Sequence, residues 1–145
     1  MSTIGFALLL AIGAAPSHAQ AQTGCSVQRL TGTWKMASMT FDGKPTSDKE
    51  LNGAIFRFAG DRLTMETAVG ARVEFALKIA EASSPCAFHV TPSAQSSEKG
   101  GWMLFAVEGD SLTLGFHDNL DRRPQAFDSR PNMIVARLVR QSRQP

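Results

Sequence analysis

The sequence predicts an all-β protein in which eight antiparallel strands close into a barrel, with one short helical turn. Short segments of alternating polar and apolar residues recur along the chain, and glycine-containing turn signals separate them. The clearest alternation runs from Arg72 to Ile79, where Val73, Phe75 and Leu77 take one face. Because closure removes exposed strand edges, a barrel is favoured over a flat sandwich, which is the alternative architecture.

The predicted strands follow one another through mostly short connections. They cover residues 30–41, 54–58, 62–67, 72–79, 86–90, 102–107, 111–116 and 132–140. Asp42-Gly43 is a tight-turn signal. Ser47 and Glu50 fit a capping box, which predicts one or two helical turns there. Residues 91–101 and 117–131 lack apolar periodicity, so we expect loops that are free to open.

The first 19 residues predict a signal peptide, and hence a periplasmic or secreted protein. Ile4 to Ala15 is an apolar run of 12 residues, shorter than the about 20 that a membrane-spanning helix needs. Small residues at Ser17 and Ala19 suit a signal peptidase. Cleavage after Ala21 and an uncleaved apolar anchor are the alternatives. A lead-in (20–29), the barrel domain (30–140) and a frayed tail (141–145) follow.

Cys25 and Cys86 are the two cysteines of the chain. Export brings a protein into an oxidising compartment, so we predict one disulfide between them. A lipid anchor on Cys25 is an alternative, but Gln22 stands where a lipid-attachment signal requires an aliphatic residue. Free thiols or a metal site are weaker alternatives, because the spacing matches no known ligand pattern.

Two short motifs at the ends of the predicted barrel resemble those of the lipocalins and the wider calycin superfamily. They are Gly32-Thr33-Trp34 on the first strand and the closing Leu138-Val139-Arg140. More narrowly, the chain resembles a bacterial family of small exported lipocalin-like proteins of uncharacterised function, which shares Gly-Thr-Trp-Lys at 32–35 and Arg-Pro-x-x-Phe at 123–127.

The resemblance covers roughly residues 30–140 and implies a lipocalin-like barrel in which an arginine of the last strand packs over Trp34 and closes one end. Arg140 is assigned that role, with Arg137 as second choice. It also implies that Arg122-Arg123-Pro124 orders the last loop, and binding of an anion by these residues is the alternative. The chain departs from the family by having no tyrosine and by carrying Cys86 where members have a charged stretch. The resemblance implies a fold and no reaction.

No established catalytic motif is present, and we predict no catalytic residue, no metal and no cofactor. The chain has no Gly-x-Ser-x-Gly, Cys-x-x-Cys or His-Glu-x-x-His sequence and no glycine-rich phosphate loop. His117, Asp118, Asn119 and Asp121 are the best candidates for metal ligands or an acid–base group, since they share one loop. We interpret this cluster as a chance association, and His89 as an outward-facing strand residue.

The phenylalanines predicted to face inward are the candidate ligand-binding residues. They are Phe56, Phe58, Phe75, Phe88, Phe105 and Phe116. An eight-stranded barrel is just wide enough to be filled by side chains or to hold one small ligand, so a cavity and a packed core both remain open. A net charge of +2 gives no reason to expect nucleic acid, and after cleavage no segment predicts stable membrane insertion.

The sequence therefore predicts an exported, non-enzymatic barrel that binds a small apolar molecule or nothing. A protein-interaction module, such as a periplasmic protease inhibitor, is the alternative, and an enzyme ranks third.

Overall fold

The computed structural model describes residues 25–47, 49, 51–80, 84–93 and 99–142. The predicted signal peptide lies outside these residues, as does most of the lead-in. Within the described chain there are one short helix and nine strands, with the following bounds: α1 Val27–Leu30, β1 Gly32–Phe41, β2 Lys44–Thr46, β3 Ile55–Ala59, β4 Arg62–Glu66, β5 Arg72–Ile79, β6 Ala87–Pro92, β7 Gly101–Glu108, β8 Ser111–His117 and β9 Met133–Arg140. No helix in this described part is both long and apolar enough to cross a bilayer.

Eight of the strands form a closed antiparallel barrel, as the sequence predicts. Neighbours pair in the order β1, β3, β4, β5, β6, β7, β8, β9, and β9 returns to pair with β1. The closing pair is long, running from Trp34 opposite Arg140 to Phe41 opposite Ile134, with a bulge between Met36 and Ser38. The sheet is therefore a lipocalin-like barrel with no free edge between its first and last strands.

Two details differ from the prediction. The Asp42-Gly43 turn sends the chain back as the short strand β2, which pairs with the last three residues of β1. The described residues around the predicted capping box (Ser47, Lys49 and 51–53) lie in turns or irregular backbone, whereas Asp48 and Glu50 lie outside the description. The short helix is instead α1, where the Ser26 side chain accepts a hydrogen bond from the N–H of Gln28.

The two ends of the barrel differ in construction. One end, here called the closed end, carries α1, the β3–β4 and β7–β8 turns and the β5–β6 connection. The opposite end, the open end, carries the β1–β2 and β4–β5 turns and the β8–β9 connection. Leu30 of α1 is fully buried, so the helix plugs the closed end.

Arg140 joins the first strand, the last strand and α1 at the closed end. Its guanidinium carbon lies 4.1 Å from the centre of the Trp34 ring, and its Nη1 donates to the Thr31 carbonyl over 2.8 Å. A longer bond of 3.3 Å reaches the Arg29 carbonyl, which gives the helix end a cationic cap. The Trp34 indole donates to the Leu30 carbonyl over 2.8 Å. Arg140, not Arg137, therefore occupies the position over the tryptophan.

The predicted disulfide is present. Cys25 and Cys86 are bonded, with their Cα atoms 5.3 Å apart and 61 positions apart in sequence. Both residues pack against the barrel core, so the bond fastens the chain entering α1 to the start of β6. A disulfide of this kind indicates folding in an oxidising environment.

We predict that Trp34→Ala lowers the free energy of unfolding by about 3–5 kcal/mol, because the indole is fully buried. Arg140→Ala should cost less, since its side chain is about one-third exposed. Chemical denaturation of both single variants and the double variant measures their coupling. Additive losses would contradict the view that the two residues act together in closing the barrel.

Replacing both cysteines by serine should lower the free energy of unfolding by about 4 kcal/mol, because the bond closes a long loop in the unfolded chain. Thermal unfolding of the oxidised protein, the reduced protein and the double variant is the measurement. The reduced protein serves as the control for the substitutions themselves and should match the double variant. Equal stability of all three would contradict a stabilising role.

Candidate functional site

The inner face of the barrel is apolar from one end to the other. Residues paired directly across strands share a face, as in Phe58–Leu63–Phe75 and Phe105–Leu114. Among the described residues of the eight barrel strands, only two on this face, Trp34 and Arg140, carry a polar group, and both lie at the closed end. Between Trp34 and the open end, none of the described strand side chains on this face can form a hydrogen bond with a molecule inside the barrel.

The half of the interior near the closed end is packed with aromatic rings. Phe58 and Phe88 meet edge to face with their ring centres 5.9 Å apart, and Phe88 lies 5.6 Å from Phe105. All three side chains are at most 4 % exposed. Rings at these separations attract one another, so three of the six predicted ligand-binding residues form a solid floor.

The half near the open end is less tightly enclosed. Val90, opposite Gly101, is fully buried there, but six other inward-facing side chains of this half are only partly buried, in contrast to the floor: Met39, Met65, Val73, Met103, Phe116 and Ile134. Phe56 and Phe75 lie between the two halves and are 4 % and 8 % exposed. Of the predicted residues, Phe116 thus belongs to this open half, and Phe56 and Phe75 form its lower boundary.

Methionines also line the open half, although the predicted ligand-binding residues were all phenylalanines. Met65 and Met103 follow the strand alternation, whereas Met39 lies beyond the β1 bulge, which resets the alternation after Met36. Methionine side chains are flexible and polarizable, and they adapt to irregular apolar shapes. The open half can therefore reshape around a guest more readily than the aromatic floor.

The β8–β9 connection packs on the outside of the barrel. Pro124 is fully buried. Phe127 lies against Gly115, where an added Cβ would come within 2.8 Å of both Phe127 and Met133. Met133, Ala87 and Leu104 form a second small core on the outside of the barrel, and Phe127 packs against it. Phe127, which is partly buried, thus packs this connection against the barrel wall, and the expectation that residues 117–131 are free to open stays a prediction.

Arg123 and Trp102 complete this outer layer. The Arg123 guanidinium lies 4.4 Å from the centre of the Trp102 ring, and the His89 ring meets the same indole edge to face at 5.1 Å. The Trp102 N–H of the main chain donates to the Leu120 carbonyl over 2.9 Å. The Arg-Pro-x-x-Phe segment thus holds the last connection on the barrel wall, and His89 faces outward as expected.

The polar cluster of the same connection is not assembled into a site. His117 is 2 % exposed, whereas Asp118 and Asn119 are exposed. The Asp118 carboxylate accepts from the Asn119 main chain, and the Asn119 side chain accepts from the main chain of Asp121. In the described part of the chain, no group of three His, Cys, Asp or Glu residues is placed to hold a metal ion.

Asp42 fastens the open end where β1 turns into β2. Its carboxylate accepts from the Met133 N–H over 2.8 Å and from the Asn132 N–H over 3.0 Å. Its own N–H donates to the Met133 carbonyl. These main-chain donors, with a smaller contribution from the charges of Arg130 and His117, hold the pKa of Asp42 below its usual value. The β1–β2 turn and the start of β9 are thereby joined.

A cleft of about 220 Å³ lies on the side of the barrel beside the β1 bulge. β3 pairs with β1 only as far as Lys35, and β2 pairs with it only from Met39 onward. The β1 edge between these points is left uncovered, apart from a bond from the Met36 N–H to the Ala54 carbonyl. Sequence reasoning missed this cleft because it missed β2.

Comparison of the chain with protein-family models, with curated proteins and with solved structures finds no match. The fold itself therefore defines the class, a lipocalin-like barrel with a packed floor and a less enclosed open half.

We predict that Asp42→Asn destabilises the protein at neutral pH and that the difference disappears in acid. A carboxyl whose pKa is lowered on folding stabilises the native state above its usual pKa of about 3.9, and this contribution is lost as the pH falls through the native value. Urea unfolding at pH 7 and pH 3 measures the effect. Asp61→Asn, at the β3–β4 turn, is the control, and a gap between wild type and Asp42→Asn that is as large at pH 3 as at pH 7 would contradict the assignment.

Proposed function

We propose that this protein is an exported, non-enzymatic carrier that holds a small apolar molecule in the open half of its barrel. One observation carries the proposal: above the closed end the inner face is apolar, and its side chains pass from the buried aromatic floor to the partly buried open-end residues Met65, Val73 and Phe116. Closely packed rings leave no room in the floor. The apolar, partly exposed lining above them is typical of a ligand site.

Export is supported by the apolar leader of residues 4–15 and by the Cys25–Cys86 bond. The leader suits a signal peptidase, and the disulfide suits the periplasm or the extracellular space. On this proposal the chain is a member of the exported lipocalin-like proteins that its Gly-Thr-Trp-Lys and Arg-Pro-x-x-Phe segments resemble.

The protease-inhibitor alternative requires an extended arm that enters a protease cleft. The disulfide fastens Cys25 to the closed end of the barrel, and Val27 and Leu30 of α1 pack against the core. The residues immediately before β1 are thus part of the fold, which favours the carrier over the inhibitor.

N-phenyl-1-naphthylamine, a dye that fluoresces in apolar surroundings, tests the carrier. The folded protein should bind it saturably at one site. Val73→Trp should weaken binding about tenfold, which corresponds to about 1.4 kcal/mol, because the indole would occupy the open half. Fluorescence titration is the measurement.

Ala76→Trp is the matched control, since residue 76 lies on the same strand but is exposed on the outer face. It should bind the dye as the wild type does. The absence of dye binding by the folded wild type would overturn the proposal, as would an equal loss in both variants.

A further inference from the structure

The methionines of the barrel fall into two groups that differ in exposure. Five of the six methionines lie in the described part of the chain. Met36 and Met133 are only 3 % and 2 % exposed. Met39, Met65 and Met103 are partly buried, and all three line the open half. The methionines that keep contact with solvent are thus gathered where the proposed ligand binds.

The chain has no free thiol that would react with an oxidant before these thioethers. Cys25 and Cys86 are its two cysteines, and they are bonded to each other. A disulfide is already oxidised, whereas a methionine thioether still takes up one oxygen to become a sulfoxide. Mild oxidation therefore falls on the methionines, and first on those that solvent reaches.

A sulfoxide in the open half would find no hydrogen-bond donor on the barrel wall. Oxidation turns a flexible apolar side chain into a polar, chiral one. Between Trp34 and the open end, the described strand side chains of the inner face carry no polar group that could donate to the new oxygen. Burying such an oxygen without a partner is unfavourable. The oxidised side chain therefore holds water in the open half or turns away from it, and both responses remove apolar surface that a guest would contact.

Two of the three methionines also lie beside aromatic residues of the same face. Met65 is paired with Phe56, and Met103 is paired with Phe88. Directly paired residues have their Cβ atoms about 4.5–5.5 Å apart. The added oxygens would therefore lie next to the boundary of the open half at Phe56 and next to the floor at Phe88.

We infer that Met39, Met65 and Met103 form an oxidation site, at which a peroxide converts the thioethers to sulfoxides and thereby lowers the affinity of the open half for apolar molecules. This inference rests on the proposed carrier function and adds regulation of the same site. With hydrogen peroxide, a sulfur lone pair attacks one oxygen, the S–O bond forms as the O–O bond breaks, and the leaving hydroxide takes the proton of the transferred oxygen to become water. The sulfur is oxidised by two electrons and the peroxide is reduced. Reductases return sulfoxide to methionine, so the change is reversible.

Peptide mass spectrometry after limited treatment with hydrogen peroxide tests the selectivity. Met39, Met65 and Met103 should each be oxidised about fivefold faster than Met36 and Met133, because reactivity follows exposure. N-phenyl-1-naphthylamine bound beforehand should slow oxidation of the first three and leave the other two unchanged. Equal rates at all five methionines would overturn the inference.

Fluorescence titration with the same dye tests the effect on binding. Oxidised wild type should bind it about tenfold more weakly than untreated wild type. The triple variant Met39→Leu/Met65→Leu/Met103→Leu keeps apolar side chains of similar volume and has no thioether in the open half. Each protein is compared with itself before and after peroxide, so that any effect of the substitutions on the starting affinity cancels.

The triple variant should show no further loss of affinity on treatment. Met133→Leu, which changes a methionine of the outer core, is the matched control and should lose affinity as wild type does. An equal loss in the triple variant and the wild type would overturn the inference.

Circular dichroism of the oxidised wild type separates loss of binding from loss of folding. The spectrum should stay that of the untreated protein, and unfolding at this level of oxidation would overturn the inference. Selective oxidation that leaves the dye affinity unchanged would also overturn it, while leaving the carrier function intact. If the untreated wild type binds no dye, the carrier function fails first, and its regulation with it.

Discussion

Barrel closure between β1 and β9 is the constraint on which the rest of the structure depends. Eight twisted strands bury their apolar face only if the first and last strands meet. Here they meet over nearly the whole of β1. Arg140 reinforces one end of this seam by stacking on Trp34 and bonding the Thr31 carbonyl, and Asp42 fastens the other end through the main chain of β9. One cation and one carboxylate thus hold the seam at opposite ends, and each acts mainly on main-chain groups.

The same strand that closes the barrel also borders the lateral cleft. β1 is ten residues long, whereas β3 and β2 each cover only a short part of its other edge. The bulge between Met36 and Ser38 lies in the uncovered part, where a bulge disturbs regular pairing and redirects side chains. β1 therefore has a long seam with β9 on one edge and an interrupted edge on the other, beside which the cleft lies.

The fold was largely predictable from sequence because the barrel strands carry their own alternation and the tight turns at Gly43, Gly60, Gly70 and Gly109 carry a glycine. The outcome for Arg72–Ile79 shows this, since Phe75 and Leu77 are buried while Arg72, Glu74 and Lys78 are exposed. The site was less predictable. Phe58 and Phe105 have the same local sequence pattern as Phe116. Only their positions along the barrel axis show that the first two belong to the floor and the third to the open half. β2 and the β1 bulge depend on pairing between strands, which the local pattern of residues does not indicate. The packing of residues 118–131 on the barrel wall depends on the contact of Phe127 with Gly115, and local periodicity does not indicate this contact either.

The outer cluster that includes Phe127 and Trp102 covers only one side of the barrel. Strands β7–β9 are covered on both faces, so widening this wall would disturb two cores at once. The wall of β3–β5 has one core behind it, and its outer face carries solvated charges such as Arg57 and Glu74. We therefore expect any widening of the interior to occur at β3–β5, while the wall of β7–β9 keeps its curvature. The last connection stiffens one side of the barrel and leaves the other side to adjust its shape.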